Sequence, residues 1–272
     1  MKLPIFQIDA FAEAPFQGNP AAVCPLQDWL PDGVLQSIAE ENNLAETAFY
    51  VPRDGHYELR WFTPTKEVDL CGHATLAAAH VLFSSNGAQS QVTFQSRSGP
   101  LRVFREDAQL TLDFPAQVGV ACEVPVATVE ALGARPMACY RAMDYMAVFE
   151  TEEEITAMTP DFRKLTALDL RGVIVTSPGR KSDFVCRFFA PKYGIDEDPV
   201  TGSAYCTLAP YWTERLGKSA MHARQLSKRT GTLRCRVEGQ RVFISGRTVV
   251  YLEGTIQIEC EPASSRQRIT RS

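Results

Sequence analysis

No apolar run in this chain approaches the roughly 20 residues that span a bilayer, so no transmembrane helix is expected. Nor is there a long Lys/Arg cluster. With 28 basic against 32 acidic residues and a formal charge of −4, a nucleic-acid partner is not expected. The eight cysteines contain no C-x-x-C pair, and zinc-ligand spacing is missing, so no metal site is expected. A chain of 272 residues can bury a core without disulfide staples. The opening MKLPIFQIDAF lacks the apolar stretch and cleavage site of a signal peptide and reads as a strand. Reduced thiols in a cytoplasmic protein are the expectation. P-loop, G-x-G-x-x-G and G-x-S-x-G patterns are also missing, which leaves chemistry carried by side chains, with no nucleotide or metal cofactor expected.

What is present is a passage written twice. R-W-F-T-P (60–64) leads to D-L-C-G-H-A-T (69–75), and R-F-F-A-P (187–191) leads to D-P-V-T-G-S-A (198–204). The second copy carries three extra residues in its loop. A repeat on this scale implies two similar halves. Each copy ends on a glycine followed by a helix-forming run, and the first N–H groups of a helix have no intrahelical acceptor and attract anions. Two such starts facing one another, Cys71-Gly72 and Thr201-Gly202, would grip one small carboxylate.

Strands are expected over 3–11, 21–25, 47–51, 57–62, 92–96, 101–104, 110–114, 145–149, 173–176, 182–189, 234–237, 242–245 and 249–258. Helices are expected over 32–42, 73–83, 124–132 and 204–216, with Pro210 kinking the last. Residues 73–83 are apolar all round, as a buried helix is, and 204–216 is expected to match it. Regular strand–helix alternation is missing. The fold class that follows is α+β: two pseudo-symmetric domains, each a curved, mostly antiparallel sheet wrapped around a central helix. The domains are expected at 1–117 and 118–272, with the last strand packing back on the first domain and a loose tail at 262–272.

His73 follows the glycine in the first helical turn. Its ordinary pKa suits proton transfer near neutrality, and the helix dipole is expected to favour its neutral form. His80 reads as a core residue. Glu46 lies among Leu44, Ala45, Ala48 and Phe49. It is either a desolvated base or a helix-end carboxylate facing water. Asp198 and Ser203 would bind substrate or merely cap a helix. Asn19 would donate to a ligand or shape a turn.

At these residues the chain resembles the phenazine-biosynthesis PhzF-like isomerases, relatives of diaminopimelate epimerase and proline racemase. The resemblance runs through F-Q-G-N-P-A-A-V, N-L-A-E-T-A-F, D-L-C-G-H-A-T, G-I-D-E-D-P-V-T-G-S-A and V-V-Y-L-E-G-T-I. It implies a diaminopimelate epimerase-like fold, a homodimer and cofactor-independent proton transfer. It assigns the family's catalytic glutamate to Glu46, and its histidine, aspartate and serine to His73, Asp198 and Ser203. Asn19, Cys71, Gly72, Thr201 and Gly202 are the remaining candidates for substrate binding. The racemase relatives pair two cysteines, whereas this chain has Cys71 opposite Thr201, whose hydroxyl is a poor proton acceptor.

Three readings follow. The first is an isomerase moving a proton between carbons of a small amino- or hydroxy-carboxylate, with Glu46 as acid/base. The second is an amino-acid racemase or epimerase using Cys71. The third is a non-catalytic carboxylate-binding protein.

Overall fold

The computed structural model describes residues 1–85, 87 and 89–258; the expected loose tail at 262–272 lies outside them. The first half contains β1 (Lys2–Ala10), β2 (Asn19–Pro25), α1 (Asp32–Asn42), β3 (Glu46–Arg53), β4 (His56–Phe62), β5 (Glu67–Val68), α2 (Gly72–Ser85), β6 (Gln91–Ser96), β7 (Gly99–Glu106) and β8 (Gln109–Pro115). There follow β9 (Val120–Ala121), α3 (Val126–Leu132), β10 (Ala138–Arg141), β11 (Tyr145–Val148), α4 (Glu152–Ala157), α5 (Phe162–Leu165), β12 (Val173–Pro178) and β13 (Phe184–Phe189). The chain then runs through α6 (Tyr205–Leu216), β14 (Ala220–Gln225), β15 (Gly231–Glu238), β16 (Arg241–Gly246) and β17 (Thr248–Gln257).

Strand pairing repeats strand by strand. In the first half β1 pairs antiparallel with β2, β2 parallel with β3, β3 antiparallel with β4, and β4 parallel with β6. The second half pairs β10, β11, β12, β13 and β14 in the same senses. Two further antiparallel pairings complete each half, and β8 joins β16 where the halves meet. The last strand, β17, pairs with β1. The fold is therefore α+β: two pseudo-symmetric halves, each a mostly antiparallel sheet around a central helix.

The repeated sequence has a physical reason. Arg60 donates from Nε and Nη2 to the two oxygens of Glu67 at 2.7 and 2.8 Å. Arg187 donates in the same way to Glu197 at 2.7 and 3.0 Å. A bidentate guanidinium–carboxylate pair fixes geometry as well as charge. In each half it pins the loop that delivers the chain to its helix start. The three extra residues of the second copy are absorbed by a single-turn 3-10 helix, Pro191–Tyr193, closed by Gly194 at φ +81°.

The central helix α2 is buried on all sides, as its sequence implies, and its Leu76, Leu82 and Phe83 join the main core. Side chains of this type contribute about 1.5–3 kcal/mol each on burial. The expectation of an equally buried second helix is corrected. Tyr205, Cys206, Leu208, Ala209 and Trp212 of α6 are buried, but Glu214, Arg215 and Leu216 are exposed. Pro210, inside α6, has no N–H with which to reach the Cys206 carbonyl one turn earlier. The Gln117 N–H takes that carbonyl instead, at 2.9 Å, and ties the segment between the halves to the second helix.

Candidate active site

The two helix starts meet at the centre of the molecule. A Cβ placed on Gly72 would lie 3.6 Å from the Cα of Gly202, and one placed on Gly202 would lie 3.7 Å from the Cα of Gly72. α2 starts at Gly72. On the other side a 3-10 turn, Gly202–Ala204, runs into α6. Beside them lies a cavity of about 390 Å³, lined among others by Glu46, Cys71, His73, Asp198, Thr201 and Ser203.

Glu46 is the first residue of β3, three residues beyond Asn43, which ends α1 in the left-handed conformation at φ 47°. Its carboxylate is buried, and Oε2 lies 3.1 Å from His73 Nε2. The ring N–H is not aimed along that line, so Oε2 is left without an aligned donor. The contact is an ion-pair distance rather than a good hydrogen bond.

Asn19 reaches from the first half to the second. Its Nδ2 lies 3.1 Å from His73 Nδ1 and donates to Asp198 Oδ1 at 2.8 Å and to the Val200 carbonyl at 2.9 Å. Gly18 makes this possible. It holds φ +66°, and a Cβ there would sit 2.1 Å from the Ala10 carbonyl oxygen. Asp198 also accepts from Thr201 Oγ1 at 2.5 Å. Buried Gln225 supports this side. Its Oε1 accepts from the Thr201 N–H, and its Nε2 donates to the Asp198 carbonyl, both at 2.9 Å. A continuous polar chain thus runs Glu46–His73–Asn19–Asp198–Thr201–Gln225.

Burial pushes the Asp198 carboxyl up to about 6. Glu46 adds to this, while His73 and the donors Thr201 and Asn19 oppose it. Burial likewise pushes the Cys71 thiol up to about 11. For His73 burial pulls the pKa down, but Cys71 and Glu46 outweigh it and hold the ring well above its ordinary value. With the thiol protonated at neutral pH, the Glu46 carboxylate is the partner that counts. The upward direction opposes the helix dipole's preference for a neutral ring, while Nδ1, facing the Asn19 Nδ2 donor, is placed to accept as a neutral ring does. His80 is a packed residue, bonded through Nδ1 to Thr248 Oγ1 at 2.7 Å. Glu46, Cys71 and His73 bring donor atoms within 4.8 Å of one another. They could close on a divalent ion only after the thiol gives up its proton.

Sequence reasoning missed Arg171, Asp144 and Gln225. Arg171 lines the cavity and touches Ser203 Oγ through Nη2 at 3.0 Å. Its other bonds go to Asp144, 27 residues away, and no local pattern announces that pairing. The alternation of β14, with Met221, Ala223 and Gln225 inward, is the one signal that would have found Gln225.

A family model described as phenazine biosynthesis-like protein matches residues 8–254. The chain belongs to that family. An uncharacterized isomerase of Pseudomonas aeruginosa is 53% identical, with 95% of this chain and 100% of the relative covered. A solved PhzF-family phenazine biosynthesis protein of Enterococcus faecalis superposes with a TM-score of 0.93 at 46% identity, covering 95% of this chain and 100% of the other. A probable proline racemase from Agrobacterium radiobacter, 10% identical, gives a TM-score of 0.62 over 96% of this chain and 94% of its own. That likeness is one of fold alone. No helix among the described residues is long and apolar enough to cross a membrane.

Proposed function

We propose that this protein is a PhzF-like isomerase that moves a proton between two carbons of a small amino- or hydroxy-substituted carboxylate, with Glu46 as acid and base. The observation that carries the reading is the Glu46 carboxylate, which is buried, lines the cavity beside the two facing helix starts, and has Oε2 without an aligned donor. An acceptor in that state is ready to take a proton. The N–H groups at Gly72 and Gly202 would hold the substrate carboxylate, with the helix dipoles behind them. Glu46 removes a proton from a carbon conjugated with the substrate's unsaturation. The electron pair shifts through the conjugated system, and the Glu46 carboxyl, its proton exchanging with solvent, protonates a second carbon. His73 steadies the carboxylate when it is charged, and Asn19 links it to Asp198. The relatives' name of isomerase supports the reaction type. The homodimer that the resemblance implies is part of the proposal, and light scattering on the purified chain tests it.

The reaction itself is tested in heavy water, by screening small unsaturated amino and hydroxy acids for deuterium incorporation. Wild-type protein is expected to incorporate deuterium into its substrate. Glu46→Gln keeps the shape of the side chain and removes the base, so exchange is expected to drop roughly 10²–10⁴-fold. Full exchange by that variant would sink the assignment. No exchange with any acid in the screen would favour the non-catalytic reading.

A further inference from the structure

Arg171 has donors to spare. Its Nε and Nη2 bind the two oxygens of Asp144 at 2.9 and 2.5 Å, and Nη2 also reaches Ser203 Oγ. Nη1 has no acceptor among the described residues. A guanidinium carries five N–H groups, so two remain uncommitted. The group is held firmly. Asp144 behind it is buried, with its side chain 3% exposed, and the guanidinium carbon lies 5.1 Å from the Phe188 ring centroid. The next residue, Gly172, has no room for a Cβ, which would meet the Phe189 carbonyl oxygen at 2.4 Å. The side chain of Arg171 is nevertheless 28% exposed, and it lines the central cavity. Tyr193 lies within electrostatic reach of Arg171 and carries the Lys66 ammonium 4.8 Å from its ring centroid. Lys66 and Arg171 are the cations of this wall; Glu67, Asp69 and Asp198 also line the cavity, and Asp198 acts electrostatically on Arg171.

We infer that Arg171 reads a second acidic group on the substrate, so that the cavity takes small dicarboxylates in preference to monocarboxylates. The inference rests on the reading of this cavity as the substrate site. The helix starts are occupied by one carboxylate, and a second would accept from the two N–H groups of Nη1. A planar guanidinium suits this task better than an ammonium, because its donors are fixed in a fork. Asp144 and Phe188 set that fork in place before any ligand arrives.

The test is calorimetric binding to the purified full chain. Glutarate is compared with valerate, and glutamate with norvaline and glutamine. Each dicarboxylate is expected to bind at least about tenfold tighter than its matched monoacid, a difference of about 1.4 kcal/mol. Arg171→Gln should reduce the preference to within about twofold, and Arg171→Lys should restore part of it. A wild-type protein without the dicarboxylate preference, including one that binds neither class, overturns the inference whatever becomes of the variants. Failure of the proton-transfer reading looks different. There the dicarboxylates would still bind selectively, yet no unsaturated amino or hydroxy acid screened in heavy water would take up deuterium. Equal deuterium exchange into unsaturated mono- and dicarboxylates would sink the Arg171 assignment and leave Glu46 in place.

Discussion

In the first half β3 opens with Glu46; in the second, β12 is preceded by Arg171-Gly172. Cross-strand register makes these places equivalent. Thr47 sits opposite Phe62, and Val173 opposite Phe189, the two phenylalanines holding the same position in the repeated R-x-F. The residue before each strand partner is Glu46 in one half and Gly172 in the other, with Arg171 one step further back. The duplicated scaffold has kept what builds the site, namely the bidentate Arg–Glu pairs and the glycine helix starts. It has diverged in side chains that line the cavity, Glu46 and Arg171 among them. Pseudo-symmetry therefore separates the recurring frame, helix starts included, from the side chains to which the proposal gives the chemistry.

The comparison breaks first at Glu46. Its replacement by Gln is expected to give the largest effect of any single change, a roughly 10²–10⁴-fold loss of exchange. Binding of the acid should stay within a fewfold, because the helix starts and Arg171 are untouched. Parallel calorimetry and exchange measurements on one preparation check this. Loss of binding with no separate loss of exchange would mean that Glu46 only shapes the cavity.

The recurring ion pairs sharpen the comparison, because their surroundings differ. Arg187 also donates to the Ile155 and Met158 carbonyls at 3.0 and 2.7 Å, and its side chain is 11% exposed. Arg60 pairs additionally with exposed Asp32, and its partner Glu67 has a second cation, Arg97, at 2.7 Å. Arg187→Ala strands a carboxylate and two buried carbonyls, so about 3–5 kcal/mol of stability should go. Arg60→Ala should lose roughly half as much, since Arg97 remains beside Glu67. Urea unfolding measures both, and equal losses would contradict the asymmetry.

How much of this was open to a reader of the sequence follows the same division. The helix starts, Glu46, His73, Asn19 and Asp198 were legible because repeat and motif mark them, and the buried helix α2 was legible because no polar face interrupts it. The short helix α4 went unread although Thr151 and Glu154 form a complete capping box, a signal written in the sequence. Arg171 was not legible. Its place depends on Asp144 and Ser203, brought to it by strand pairing across 27 and 32 residues. The end of α6 was misread because apolar content was taken for burial where Glu214 and Arg215 mark a surface.

A smaller effect separates the two aspartates of the repeat. Asp69 is open to solvent, with its side chain 76% exposed, whereas Asp198 is buried. The folded chain holds the Asp198 proton more tightly than the unfolded chain does. Its pKa of about 6 stands against an ordinary 3.8. Protonation therefore stabilises the fold, and that contribution is lost as pH rises from about 4 to about 6. Across this window wild-type stability should fall relative to Asp198→Asn, by about 3 kcal/mol. A pH series of unfolding curves on the two proteins measures this. A flat difference for Asp198→Asn would mean that its carboxyl stays charged in the fold.

The smallest effect is expected at Cys71, the position where a two-thiol racemase would keep its base. Only the thiolate abstracts protons, and burial holds this thiol near 11. At neutral pH about one molecule in 10⁴ would carry it. The facing position offers no partner base, because Thr201 already donates its hydroxyl to Asp198. Cys71→Ser should therefore exchange deuterium within about threefold of wild type, the small change reflecting the altered packing against His73, 3.6 Å from the sulfur. A thousandfold drop in that variant, with Glu46→Gln still active, would transfer the base to the thiol. The functional contrast between the halves would then lie between Cys71 and Thr201 rather than between Glu46 and Arg171.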